Sequence, residues 1–159
     1  MLQVERLHLS VPDTAEQLWA LQHAAYREEA KRIGVSDLPP LRDTIASLQA
    51  CRETFYGCYN EDGELIGAVS TEEEAPGKTV ICRMMVRPDQ FRQGIGSRLL
   101  RHVIGAAEPS SELTVTSEIR NEPALRLYEG HGFRRVSTFS PAPDIQMVLF
   151  TLPVDESVR

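Results

Sequence analysis

Apolar and polar residues alternate over 2–9 (LQVERLHL), the period of a half-buried strand. From Pro12 the period lengthens. Leu18, Leu21 and Ala25 recur at helical spacing, as do Trp19, Tyr26 and Ile33, and Gly34 can close that helix. The segment GVSDLPP then interrupts the chain, because Pro39 and Pro40 cannot continue a helix. A second short helix is predicted over 41–51, with Leu41, Ile45 and Leu48 on one face. ETFYGCY (53–59) reads as a strand, NEDGE as an Asp-Gly hairpin turn and LIGAVST (65–71) as the returning strand. EEEAPGK reads as another turn, and TVICRMMV (79–86) is the longest strand-like apolar run, ended by Arg87-Pro88. A helix is predicted over 94–106, a strand over 112–117, and a helix over 122–130 with Asn121 as its cap and Pro123 in its first turn. Strands over 133–139 and 145–152 complete the chain. This order predicts an α/β fold with a mixed central sheet of about seven strands flanked by about four helices.

Composition narrows the class. The 159 residues fit one domain, 1–159, and 42% hydrophobic with 25% charged residues is an ordinary globular mix rather than a disordered or disulfide-scaffold one. The balance of 17 basic and 23 acidic residues, −6, argues against a nucleic-acid binder or a protein of anionic membrane surfaces. No run approaches the roughly 18 apolar residues of a membrane helix, and the N-terminus has no leader pattern, so a cytoplasmic protein is expected. Cys51, Cys58 and Cys82 are odd in number, lack CxxC spacing and have no histidine nearby, so no metal is expected. The charge is unevenly spread. Residues 53–77 hold seven acids and no base, whereas 83–102 hold five arginines and one aspartate.

That basic segment contains the first candidate chemistry. Between the apolar strand and the amphipathic helix lies Val86-Arg87-Pro88-Asp89-Gln90-Phe91-Arg92-Gln93-Gly94-Ile95-Gly96-Ser97. Glycines at a helix start let an anion approach backbone N–H groups that have no intrahelical partner, and the helix dipole favours negative charge there. A pyrophosphate suits such a site, with Arg92 and Arg98 adding charge. A P-loop is excluded because Ser97-Arg98 stands where Lys-Ser/Thr is required, and a dinucleotide fingerprint is weakened by Leu99 at the third small position.

The loop resembles motif A of the GCN5-related N-acetyltransferases (GNAT), V-x-P-x-x-(R/Q)-x-x-G-x-G/A followed by paired leucines. Val86, Pro88, Gly94, Gly96, Leu99 and Leu100 fit, and Phe91 departs from the Arg/Gln position. A second segment, 27 residues after Gly94, resembles the family's N-x-x-A-x-x-L-Y-x-x-x-G-F motif through Asn121, Ala124, Leu127, Tyr128, Gly132 and Phe133. The order of elements is similar over nearly the whole chain.

The resemblance implies acetyl transfer from acetyl-CoA to a primary amine, the amine attacking the thioester directly in a ternary complex. Acetyl-CoA is expected between the strands at 79–86 and 112–117, which splay apart in the family where the first carries a β-bulge. The backbone of Met84, Met85 and Val86 is expected to pair with the pantetheine arm. The amides of Arg92, Gln93, Gly94, Ile95, Gly96 and Ser97 are expected to hold the pyrophosphate. A backbone N–H near Val86 is expected to face the developing oxyanion. Asn121 can cap its helix, contact CoA, or both. Tyr128 is the candidate general acid, placed to protonate the departing thiolate, with a core tyrosine as the plain alternative. Glu118 is the candidate general base. Glu72, Glu73 and Glu74 are others, and Tyr26, Glu28 and Glu29 are candidates to line the acceptor side. The expected acceptor is a small-molecule amine, or else a protein amine. A homodimer through strand edges is conceivable, and a non-catalytic acyl-CoA-binding module on the same fold is the alternative function.

Overall fold

The computed structural model describes residues 3–154. Its seven strands are β1 (Glu5–Leu7), β2 (Thr54–Tyr59), β3 (Leu65–Ala75), β4 (Lys78–Val86), β5 (Glu112–Glu118), β6 (Arg134–Ala142) and β7 (Ile145–Pro153). The helices are α1 (Pro12–Ile33), α2 (Ile45–Ala50), α3 (Ile95–Ala106) and α4 (Glu122–Gly130), with short 3-10 turns at Pro39–Arg42 and Pro88–Gln90. The strands form one sheet in the order β1-β2-β3-β4-β5-β7-β6. All neighbours are antiparallel except β4 and β5. The expected mixed sheet with four helices is present.

Two cores sandwich the sheet. Leu18, Leu21 and Tyr26 of α1 pack with Leu48 of α2 on Phe55, Ala68 and Met85. On the other face Ile95, Leu99, Leu100 and Val103 of α3, with Leu125 and Tyr128 of α4, cover Val69, Ile81, Val115 and Phe150. Gly67 lets α3 settle this closely, because a Cβ there would lie 2.5 Å from Ile95 Cγ2.

Four elements depart from the sequence reading. Of the predicted strand 2–9, Leu2 lies outside the described residues, and among the rest β1 covers Glu5–Leu7. The predicted helix 41–51 divides into the 3-10 turn at Pro39–Arg42 and α2, because Thr44 and Ser47 form a capping box that restarts the helix. Glu72–Glu74 are strand rather than turn, since β3 and β4 pair out to Ala75 and Lys78. Asn121 precedes α4 but its side chain makes no capping bond. Gly34 closes α1 as expected, in the left-handed region at φ 80°.

Candidate active site

Strands β4 and β5 run side by side for four register pairs, from Lys78–Glu112 to Ile81–Val115, and then part. Beyond that point β4 stays paired to β3 as far as Val86, and β5 stays paired to β7 as far as Glu118. The facing edges of Arg83–Val86 and Thr116–Glu118 therefore carry no mutual ladder, and the sheet opens. The cause is local. Ser70 pairs with Arg83 and Thr71 with Ile81, so Cys82 is an extra residue on β4, a β-bulge that turns the strand away from its neighbour. Burial pushes the Cys82 thiol up to about 12, so it is not an activated nucleophile.

At the end of β4 the chain enters the glycine loop. Arg92 lies at φ 66° and Gly94 at φ 76°, left-handed positions that turn successive amides toward one side. Arg98 N–H bonds Gly94 O at 3.0 Å as the first turn of α3, so the N–H groups of Ile95, Gly96 and Ser97 precede the intrahelical ladder. Gly96 is small for packing as well as for access, since a Cβ there would meet Leu127 Cδ2 at 3.3 Å. Asn121 is 6% exposed, and among the described residues its side-chain amide makes no hydrogen bond. The loop, the opening and Asn121 thus fit a long ligand with an anionic segment and an amide-bearing arm.

The opening brings together groups from opposite faces of the sheet. Tyr128 comes from α4, its ring packed at 5.8 Å from Phe133 and 5.7 Å from Phe150. Tyr26 and Glu29 come from α1. Burial raises the pKa of both phenols; Glu29 and Tyr128 raise Tyr26 further, and Glu29 raises Tyr128. Met84, among the expected pantetheine contacts, directs its backbone N–H at the Tyr26 oxygen, which works in the opposite sense. Tyr128 is thus a buried ring of the core, and its phenol lies within electrostatic reach of Glu29 and Tyr26 from α1.

Glu118 is not the free carboxylate expected of a base. It is the last residue of β5, only 3% exposed, and four N–H groups hold it. Arg120 donates from its backbone N (2.7 Å) and Nε (3.1 Å) to Oε1 and from Nη2 (2.8 Å) to Oε2, and Gln146 N donates to Oε2 at 3.1 Å. The Arg120 bonds, aided by the Gln146 amide, lower its pKa to about 2 against the cost of burial. An anion stabilised to this extent is a poor proton acceptor and a good clamp between β5 and β7. Glu72–Glu74 lie exposed on the part of β3 that faces β4 before or at the last β5 pairs, not on the parted segment.

One cluster escaped the sequence reading. Arg83, immediately after the bulge, donates to Glu53 from Nε (2.9 Å) and Nη2 (3.0 Å), and from Nη1 to Asp43 (2.7 Å) and Gln22 Oε1 (2.9 Å). Gln22 Nε2 reaches Pro40 O and Asp43 Oδ2, both at 2.9 Å, and Trp19 Nε1 reaches Asp43 O at 2.9 Å. These bonds pin the segment between α1 and α2 to the edge of the opening. Among the described residues no three His, Cys, Asp or Glu side chains group as a metal site, and no helix is long and apolar enough to cross a membrane.

The acetyltransferase (GNAT) family model matches residues 15–133, and the chain belongs to that family. It is 36% identical over 149 residues to the UPF0157 protein YqkA of Bacillus subtilis (strain 168), a match that covers 94% of this chain and 43% of that protein. The chain thus spans less than half the length of that relative. Its fold is that of the ribosomal-protein-S18-alanine N-acetyltransferase from Escherichia coli, at TM-score 0.74 and 21% identity over 98% of this chain and 95% of that one. It is likewise that of PaiA N-acetyltransferase from Thermoplasma acidophilum, solved in complex with coenzyme A, at TM-score 0.72 and 15% identity over 94% and 98%.

Proposed function

We propose that this protein transfers an acetyl group from acetyl-CoA to a primary amine of a small molecule, by direct attack in a ternary complex. The observation that carries this reading is the parting of β4 and β5 after Ile81–Val115, directly ahead of a glycine loop whose helix-start amides precede the intrahelical ladder. Acetyl-CoA supplies the activated acetyl thioester. The amides of Arg92–Ser97 take its pyrophosphate, the free edge at Met84–Val86 takes the pantetheine arm as an added strand would, and Asn121 offers its unpartnered amide.

Tyr128 is the proton donor. Burial keeps its phenol protonated at neutral pH, the state that a donor to a departing thiolate requires. The Met84 N–H, at the parted edge, supplies a backbone donor for a developing oxyanion once the Tyr26 oxygen yields it. Glu118 stays ionised and anchors the end of β5.

The test is release of free thiol from acetyl-CoA against a panel of primary amines, with acetyl-CoA affinity measured in parallel. Turnover with at least one amine is expected. Tight acetyl-CoA binding without turnover across the panel would instead identify a binding module.

A further inference from the structure

Helix α1 runs alongside the parted segment of β4. Gln22 meets Arg83 at 2.9 Å, Tyr26 meets the Met84 amide, and Arg32 stands 5.7 Å over the Phe91 ring, beyond the end of the strand. Gln22, Tyr26, Glu29 and Ile33 follow at intervals of four, three and four residues, so they form one stripe on α1. Gln22, Tyr26 and Ile33 are buried in it. Glu29 is the carboxylate of that stripe, and its position between Tyr26 and Arg32 sets it beside the opening.

Other carboxylates around the opening are already held. Glu118 is occupied by Arg120, Asp43 and Glu53 by Arg83, and Asp89 by Arg87. Glu29 differs, because among the described residues its side chain makes no hydrogen bond and no ion pair. A partly buried carboxylate without a donor, with the Tyr26 phenol on its own helix and the Tyr128 phenol on the other side of the sheet, is an unmet acceptor of positive charge.

We propose that Glu29 receives the acceptor amine as its ammonium and takes the proton that must leave before the nitrogen can attack. This rests on the acetyl-transfer reading and supplies the base that Glu118 does not. The ammonium N–H passes its proton to the Glu29 carboxylate, and the freed nitrogen lone pair bonds to the thioester carbonyl carbon. The C–S bond breaks, and the thiolate takes the Tyr128 phenol proton. The resulting tyrosinate takes the second proton from the new amide nitrogen. The balance is ammonium plus acetyl thioester giving amide, thiol and one proton, which leaves from Glu29.

The surroundings suit the role. Burial, with Glu118 adding to it, raises the Glu29 pKa, while Arg32 opposes. The charged and titratable groups facing it are Tyr26 and Arg32 on its own helix, Tyr128 on α4 and Glu118 at the end of β5. A carboxylate whose pKa is raised in this way is a stronger base than a solvated one.

The experiment compares wild type, Glu29→Gln and Glu29→Asp in thiol release with spermidine, L-lysine and a peptide bearing a free α-amine, from about pH 5 to about pH 10, with acetyl-CoA Kd for each. Loss of about 10²-fold in kcat for Glu29→Gln at neutral pH is expected. Its acetyl-CoA Kd should stay within about twofold, its acid limb of kcat/KM should vanish, and activity should return at high pH where the amine is already free. Glu29→Asp should keep the acid limb at reduced kcat. A Glu29→Gln enzyme with wild-type kcat and an intact acid limb overturns the inference alone. A wild type that acetylates none of these amines overturns the acetyl-transfer reading, and this inference with it.

Discussion

Arg83 Nη1 lies 2.7 Å from Asp43 Oδ2, and that contact joins the first residue past the β4 bulge to the segment ahead of α2. Their side chains are 13% and 20% exposed, so water screens the pair only weakly. Removing one partner strands the other. Arg83→Met is expected to lose about 3 kcal/mol in urea unfolding, since Asp43 and Glu53 would be left facing each other. Asp43→Asn keeps the shape and loses less. In thiol-release assays it should raise the acceptor KM several-fold with acetyl-CoA KM unchanged, because it loosens the wall of the acceptor side and not the glycine loop. Equal effects on both KM values would count against that division.

Tyr128→Phe preserves the ring that packs on Phe133 and Phe150 and deletes only the hydroxyl. Thermal stability should change little, while kcat should fall about 10²-fold with acetyl-CoA affinity retained. Unchanged turnover would leave the phenol as core alone.

Gly94 and Gly34 have almost the same backbone, φ 76° and φ 80°, and a Cβ would meet nothing within 4 Å at either. Alanine at each should therefore cost a similar amount, about 1 kcal/mol. Only Gly94→Ala should also weaken acetyl-CoA, by roughly tenfold, because only there do the adjoining amides face an anion. Calorimetric titration of the two variants separates strain from binding.

Glu118 predicts acid behaviour of definite sign. Its folded pKa of about 2 lies below the ordinary glutamate value. The stability it contributes is present above that ordinary value and is lost as pH falls toward the folded one. Glu118→Gln should cost about 2 kcal/mol at pH 7, and the gap to wild type should narrow progressively below about pH 4. Chemical unfolding at several pH values measures it, and a gap that widens with acid would contradict the assignment.

Much of this was readable from the chain because periodicity and turn chemistry are local. Gly34, Asp62-Gly63 and Pro123 each mark a turn or an end that backbone geometry enforces, and the glycine loop carries its own reason for existing. Glu118 was misread as a base because its neighbours lie at Arg120 and, through β7, at Gln146. The Arg83 cluster was invisible for the same reason, since Gln22, Asp43, Glu53 and Ser70 are scattered along the chain and converge only when β3, β4 and α1 assemble. In the sequence Glu29 stands beside Tyr26 and Glu28 as a candidate to line the acceptor side, with nothing to rank it. Its difference from Glu28 emerges only with knowledge of which stripe of α1 meets the sheet. A signal did exist: Glu29 is seven residues from Gln22 and three from Tyr26, within an otherwise buried row.

Cys82 also works as a change of phase. Side chains on a strand alternate, so Ile81 and Arg83 would ordinarily point the same way. Instead Ile81 packs under α3 whereas Arg83 and Met85 face α1. Deleting the single inserted residue would restore the beat and leave both sides as they are, because Arg83 would then follow Ile81 directly and point opposite to it. Were the ladder instead to run straight through Cys82, Arg83 would be driven into the apolar layer beneath α3, and Met84 would turn from that layer toward α1. The bulge itself therefore determines which half of the molecule receives the guanidinium.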